Sequence, residues 1–237
     1  MGNSYFRFKQ FTVHQSNTAM RVNTDGVLLG SWANVSGANR ILDIGTGTGV
    51  IAIMLAQRNA NAYVDAIEID TLSAADARNN VTLSPWANRI DIINCSLQSF
   101  AQSVKHSYDL IVSNPPYFNQ SLKSPHVGRN ISRHSESLPY PDLIEGVRML
   151  LAPGGKFSGV FPYSEGNVFI AMASAHGLYC TQKVNVQSRP GRKVLRVLLQ
   201  LEATKKPITE STLTIHNPDG SYSDEYKRLT GDFYLGF

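Results

Sequence analysis

The stretch Ser113-Asn114-Pro115-Pro116-Tyr117-Phe118 carries the groups best suited to act on a flat polar ring. Asn114 supplies a side-chain amide, Pro115 a backbone carbonyl and Tyr117 an aromatic face. Two acceptors and a stacking plane suit a heterocycle bearing an NH2 group. Consecutive prolines permit neither a helix nor a continued central strand, and a following proline biases Asn114 toward an extended backbone. The result is a stiff ledge. Taken alone, the same residues also read as a turn after a strand.

A second motif lies upstream, Asp43-Ile44-Gly45-Thr46-Gly47-Thr48-Gly49. Gly45, Gly47 and Gly49 allow a tight turn and a close backbone approach to a ligand. Glu68 follows at roughly the 20-residue distance from which a carboxylate accepts ribose hydroxyls. A dinucleotide site would share both features. However, the spacing is Gly-x-Gly-x-Gly rather than Gly-x-Gly-x-x-Gly. Asp43 would also repel a pyrophosphate and attract an ammonium or sulfonium. The bland reading of Asp43 is an acid at a helix N-terminus.

These residues must be held by alternating strands and helices. Apolar runs place strands at Arg40–Ile44, Tyr63–Ile69, Ile90–Asn94, Asp109–Ser113 and Lys156–Phe161. Helices are expected at Val50–Ala56, Thr71–Leu83, Pro141–Leu151 and Glu165–Ala175, and one capped by Thr24 or Asp25 leads to Trp32. Leu178–Val186 and Val194–Glu202 read as an antiparallel hairpin through Arg189-Pro190-Gly191-Arg192. The pattern predicts an α/β fold: a doubly wound, mostly parallel, seven-stranded sheet with a C-terminal antiparallel hairpin at its edge. One domain spans 1–237, with an N-terminal arm and capping helix (1–39), a core (40–202) and a tail (203–237). The arm's first residues suggest a short hairpin. The tail either packs on the domain or folds with a partner.

The chain has 237 residues, of which 42% are hydrophobic and 17% charged, enough for one substantial core. No apolar run reaches bilayer length, and the start lacks the apolar core of a signal peptide. Cys95 and Cys180 sit in apolar runs and read as buried reduced thiols of a cytoplasmic protein. Six histidines show no metal-ligand spacing. Net charge is +4, and its distribution matters more. Arg129 and Arg133 follow the ledge, and Arg189, Arg192 and Lys193 cluster at the hairpin turn. Both groups fit RNA phosphates, or a solvated surface.

The paired motifs resemble the class I S-adenosylmethionine-dependent methyltransferases with an Asn-Pro-Pro-Tyr loop, from about residue 6 to 201. That group methylates planar nitrogens, adenine N6 or a glutamine amide. The resemblance implies S-adenosyl-L-methionine as cofactor. It implies that Asp43, with Gly45, Thr46, Gly47 and Gly49, orients its methionine end, that Glu68 holds its ribose, and that Thr24 binds its carboxylate. Ser96 takes the place where relatives carry an acid for the cofactor's adenine, with Asp91 an alternative. Asn114, Pro115, Pro116 and Tyr117 become the catalytic clamp. The segments 11–15 and 20–33 resemble the bacterial tRNA(Val) adenine-N6 methyltransferases. tRNA is then the expected partner and an anticodon-loop adenosine the target, and the protein is expected to be a monomer without metal. Release-factor glutamine methyltransferases normally carry an N-terminal helical domain, for which about forty residues leave no room. Adenine-N6 transfer to another RNA or DNA, a nicotinamide oxidoreductase and a non-catalytic RNA binder remain as alternatives.

Overall fold

The computed structural model describes residues 3–16, 18, 20–116 and 138–237. Tyr5–Arg7 (β1) and Thr12–His14 (β2) form a small antiparallel hairpin. Thr24–Trp32 (α1), Arg40–Ile44 (β3), Val50–Arg58 (α2), Tyr63–Glu68 (β4), Thr71–Thr82 (α3), Ile90–Asn94 (β5), Leu97–Ser103 (α4) and Tyr108–Ser113 (β6) follow. The second half holds Tyr140–Leu150 (α5), Leu151–Pro162 (β7), Tyr163–Ala175 (α6), Tyr179–Gln187 (β8), Val194–Glu202 (β9), Thr209–Thr214 (β10) and Asp224–Thr230 (α7).

One sheet joins β3 to β10 in the order β10-β8-β9-β7-β6-β3-β4-β5. Strands β3 to β7 run parallel, and β9 is antiparallel to both β7 and β8. The α/β architecture is the expected one, but the sheet has eight strands, not seven. The extra strand is β10, from the tail, paired in parallel with β8. Its sequence, Thr-Glu-Ser-Thr-Leu-Thr, buries only Leu213 and so carries no strand pattern to read. The hairpin strand β8 is consequently interior rather than the sheet's edge.

The central strands are apolar on both faces because helices cover both. Along β3 and β6, Ile41, Leu110 and Val112 join a core with α1, α2 and α3. Their alternating neighbours Leu42, Ile44 and Ile111 join a second core with α4, α5 and α6. That period of two is the strand's own geometry. Helix α1 is buried rather than amphipathic, with Val27, Leu28 and Leu29 fully covered. Asn23 caps it, accepting from the Gly26 N–H at 2.9 Å. This displaces the expected caps Thr24 and Asp25, and Asp25 pairs with Arg196 at 2.8 Å.

The tail packs on the domain. Tyr226 and Phe233 are buried, and Lys9 Nζ of the β1–β2 hairpin donates to the carbonyls of Gly231 and Phe237, each at 2.6 Å. Cys95 and Cys180 are free thiols, and burial pushes Cys180 up to about 11. Among the described residues no helix is long and apolar enough to cross a membrane.

Candidate active site

Four strands end level with one another. Ile44 pairs with both Ile67 and Ser113, and Glu68 pairs with Asn94. Gly45, Glu68 and Asn114 therefore stand on one rim at the carboxyl ends of β3, β4 and β6, with neighbouring strands about 4.8 Å apart. Chain order reverses between β3 and β6, and such a reversal is where open α/β sheets take their ligands. The two motifs, seventy residues apart in the sequence, thus meet at the switch.

The glycine loop folds back over β4. The Gly45 and Thr46 amides both donate to Ile67 O at 3.0 Å, and Gly49 N donates to Thr46 O at 2.9 Å. Gly45, Gly47 and Gly49 have φ of 72°, 56° and 81°. A Cβ on Gly49 would meet nothing nearer than Ala77 at 3.5 Å, so conformation rather than space demands glycine there. Gly49→Ala should therefore cost about 1–2 kcal/mol, the left-handed penalty of an L-residue. A lowered urea midpoint at unchanged slope would show it; an unchanged midpoint would mean that the loop relaxes.

Glu68 clasps this loop. Its Oε2 accepts from Gly47 N and its Oε1 from Asp70 N, each at 2.9 Å. Each carboxylate oxygen keeps a lone pair for a further donor. Ile69, next in the chain, is 56% exposed and sets an apolar surface beside that carboxylate.

Asp43 is fully buried below the loop, with the Thr46 hydroxyl donating to Oδ2 at 2.6 Å. Among the described residues Oδ1 makes no hydrogen bond of normal geometry, although the Ala52 amide in the first turn of α2 lies close enough to pull the pKa down somewhat. Burial dominates and pushes the carboxyl up to about 7, against the opposing Thr46 hydrogen bond. The helix N-terminus that receives a pyrophosphate in dinucleotide folds faces an acid here.

At Asn114, Nδ2 points to Met20 Sδ at 3.8 Å, and Oδ1 is buried with no hydrogen-bond partner among the described residues. A thioether only accepts, so this contact sets which end of the amide is left free. Pro115 is buried and Pro116 exposed. Ser113 locks the ledge to the loop strand, its hydroxyl donating to Ile44 O at 2.9 Å.

The N-terminal arm roofs the rim. Asn80 of α3 donates to the carbonyls of His14 and Thr48 at 2.8 and 2.9 Å and accepts from His14 N at 2.8 Å. Thr18 is held by Asp76 and approaches Gly47. Met20 and Asn80 escape the sequence reading because their roles come from contacts distant in the chain, and Ile69 because an exposed apolar residue at a strand end carries no pattern of its own.

The remaining expected residues fall as follows. Thr24 is the exposed first residue of α1, on this rim. Ser96 is the N-cap of α4, its Oγ accepting from Ser99 N at 3.2 Å, so its hydroxyl is already committed within the fold. Asp91 lies near the amino end of β5, away from the rim, and lines a separate cavity of about 530 Å3 with Asp65 and His106. Arg189, Arg192 and Lys193 are exposed between β8 and β9. Tyr117, Arg129 and Arg133 lie outside the described residues. Among the described residues no cluster of three His, Cys, Asp or Glu is arranged to hold a metal ion.

The methyltransferase small domain family matches residues 21–158. A tRNA1(Val) (adenine(37)-N6)-methyltransferase of Trichodesmium erythraeum is 43% identical over 239 residues, covering 100% of both chains. Proteins of the same name from Bacteroides fragilis and Serratia proteamaculans are each 44% identical. The first covers 99% of each chain, the second 97% of this chain and 89% of its own. Among solved structures, one described as a predicted O-methyltransferase from Agrobacterium tumefaciens superposes with a TM-score of 0.70 at 20% identity. It covers 88% of this chain and 96% of its own, a likeness of fold.

Proposed function

Since the chain belongs to the tRNA1(Val) (adenine(37)-N6)-methyltransferase family, within the methyltransferase small domain group, it is a methyltransferase, and we propose that it methylates N6 of an anticodon-loop adenosine in tRNA, using S-adenosyl-L-methionine. The position and the tRNA1(Val) of the relatives' names are the target we assign to it. The observation that carries this reading is Asn114 Oδ1, a buried acceptor at the strand switch with no partner among the described residues.

The site fits the cofactor. Glu68 retains acceptor capacity for two ribose hydroxyls beside the apolar Ile69. Asp43 offers a buried acid to a cationic methionine end, and the glycine loop brings backbone close. Thr24 stands at the start of α1, whose first-turn amides suit a carboxylate. When bound, S-adenosyl-L-methionine supplies an electrophilic methyl on a sulfonium.

An exocyclic adenine amine is a weak nucleophile because its lone pair is delocalised into the ring. Asn114 Oδ1 and the Pro115 carbonyl accept its two N–H groups and bias the nitrogen toward a tetrahedral form, localising that pair. The Asn-Pro-Pro-Tyr motif assigns the stacking role to Tyr117, which lies outside the described residues. Fixed dipoles meet the positive charge that develops on nitrogen, and positioning supplies most of the acceleration. No general base is assigned, and the proton leaves to solvent. The adenosine enters the ledge unstacked, which costs least in a loop. A tRNA substrate supports a cytoplasmic enzyme.

The test is incubation with radiolabelled S-adenosylmethionine and tRNA from a strain lacking the enzyme, followed by digestion to nucleosides. N6-methyladenosine is the expected product. Label confined to protein would establish glutamine transfer instead, and tRNA binding without label a non-catalytic role.

Asp43 sets a pH dependence. A cation above it favours the ionised form, so binding at lower pH must release its proton. Affinity for S-adenosylmethionine is expected to rise with pH and level off above about 7. Asp43→Asn should flatten that profile in titration calorimetry; an unchanged profile would remove Asp43 from the site. The folded pKa lies above the unfolded value of 3.8. This group's contribution to stability therefore falls as pH rises from about 4 to about 7.

A further inference from the structure

The rim is divided by charge. On the β3–β4 side stand Asp43, Glu68 and Asp70. On the far side is the β8–β9 turn. Pro162 of β7 pairs with Arg196, Val194 with Gln187, and Gln187 with Thr214. That register brings the turn to the same end of the sheet as Asn114, about 10–15 Å to the side across two or three strand spacings and about 13 Å further out along the strands, since Ser113 is level with Gly159 and Leu199 while the turn begins beyond Val194. The turn, 188–193, contains Arg189, Arg192 and Lys193 and no acid. All three are exposed and none forms an ion pair among the described residues.

The turn is also held in place. The Ile215 amide donates to Gln187 O, and the His216 amide donates to Ser188 O, each at 3.0 Å. His216 stacks on Tyr222, with centroids 4.7 Å apart, and Tyr222 on buried Tyr226 at 5.3 Å. The tail thus props the basic turn upright.

One segment links turn and ledge. Met20 touches Asn114, and Asp25 pairs with Arg196 at the start of β9. Residues 20–25 therefore cross the rim from β6 to β9, and Arg21, exposed and without an ion pair among the described residues, lies on the crossing.

We propose that Arg21 continues the Arg189–Arg192–Lys193 turn into one cationic track, and that this track holds the backbone phosphates flanking the target adenosine. The proposal rests on tRNA being the substrate. The acid side of the rim suits the cationic cofactor and the basic side the polyanion, so the two ligands approach Asn114 from opposite directions. Phosphate contacts of this kind position without reading sequence. Each contributes a slope of about 0.7–0.9 to the salt dependence of binding.

The experiment is tRNA binding and steady-state methylation between 50 and 200 mM KCl. Arg21→Gln should raise KM for tRNA about threefold to tenfold and lower the log–log salt slope by about one contact. Arg21→Lys should restore the slope. The triple change Arg189→Gln, Arg192→Gln, Lys193→Gln should lower it by two to three contacts. In all of these, kcat at saturating tRNA and affinity for S-adenosylmethionine should stay unchanged. Lys105→Gln, at the opposite end of the sheet, serves as the control with an unaltered slope. Unaltered slopes in the Arg21 and turn variants, with a wild type that binds and methylates tRNA, would overturn the track. A wild type that neither binds nor methylates tRNA would overturn the substrate assignment, and the track with it.

Discussion

Asn114→Ala should cut methyl transfer by about 10^2–10^3-fold in kcat, the effect of removing one preorganised dipole from a site of charge development. The same substitution should leave binding of S-adenosylmethionine within about threefold, since the cofactor is held by the glycine loop and Glu68. It should not destabilise the fold. Asn114 Oδ1 is buried without a hydrogen-bond partner among the described residues, and such an acceptor costs about 1–3 kcal/mol in the folded state. The melting temperature of the variant is therefore expected to hold or rise while activity falls, a trade typical of catalytic positions. Asn114→Asp keeps an acceptor at the same place and should retain more turnover than alanine. Turnover near wild type in Asn114→Ala would remove the clamp from the mechanism. A lost cofactor affinity would show that Asn114 acts through the pocket instead.

Glu68→Ala is the second large effect, and it falls on binding. The carboxylate holds two backbone amides, Gly47 N and Asp70 N, each at 2.9 Å, and presents its remaining lone pairs outward. Losing two charge-assisted bonds of about 1.5–3 kcal/mol apiece should weaken S-adenosylmethionine about 10^2–10^4-fold, where 1.4 kcal/mol is a factor of ten. S-adenosylhomocysteine shares the ribose and should weaken equally. Asp43→Asn, by contrast, should penalise the sulfonium more than the neutral thioether. Calorimetric titration of both ligands separates the two acids. Equal affinity in wild type and Glu68→Ala would place the ribose elsewhere.

The parts of the molecule legible in sequence were those whose signal is local. Strands β3, β4 and β6 are covered by helices on both faces and so carry short apolar stretches, Ile41-Leu42, Ala66-Ile67 and Leu110-Ile111-Val112. The three positive-φ glycines announce themselves because few other residues tolerate that backbone. Asn114 was visible because two prolines fix its surroundings. Elsewhere the determinants are remote or ambiguous. Asn23, Thr24 and Asp25 are all competent caps; Asn23 takes the role, while Asp25 pairs with Arg196, distant in the chain. Helix α4 is seven residues long and carries too little periodicity to read, so the capping role of Ser96 shows only in the structure. Asn80 and Met20 act on groups 66 and 94 positions away in the chain, respectively. No periodicity encodes such contacts.

Strand β10 has a consequence for handling the protein. It shields the outer side of β8, whose nine residues would otherwise offer a row of unsatisfied amides and carbonyls to any neighbouring molecule. A version shortened after Glu202 would keep every group of the cofactor pocket and the ledge. It would also acquire a template for self-association, and should precipitate or form higher oligomers as its concentration rises. The polar strand that left no trace in the hydropathy pattern is thus a safeguard of solubility.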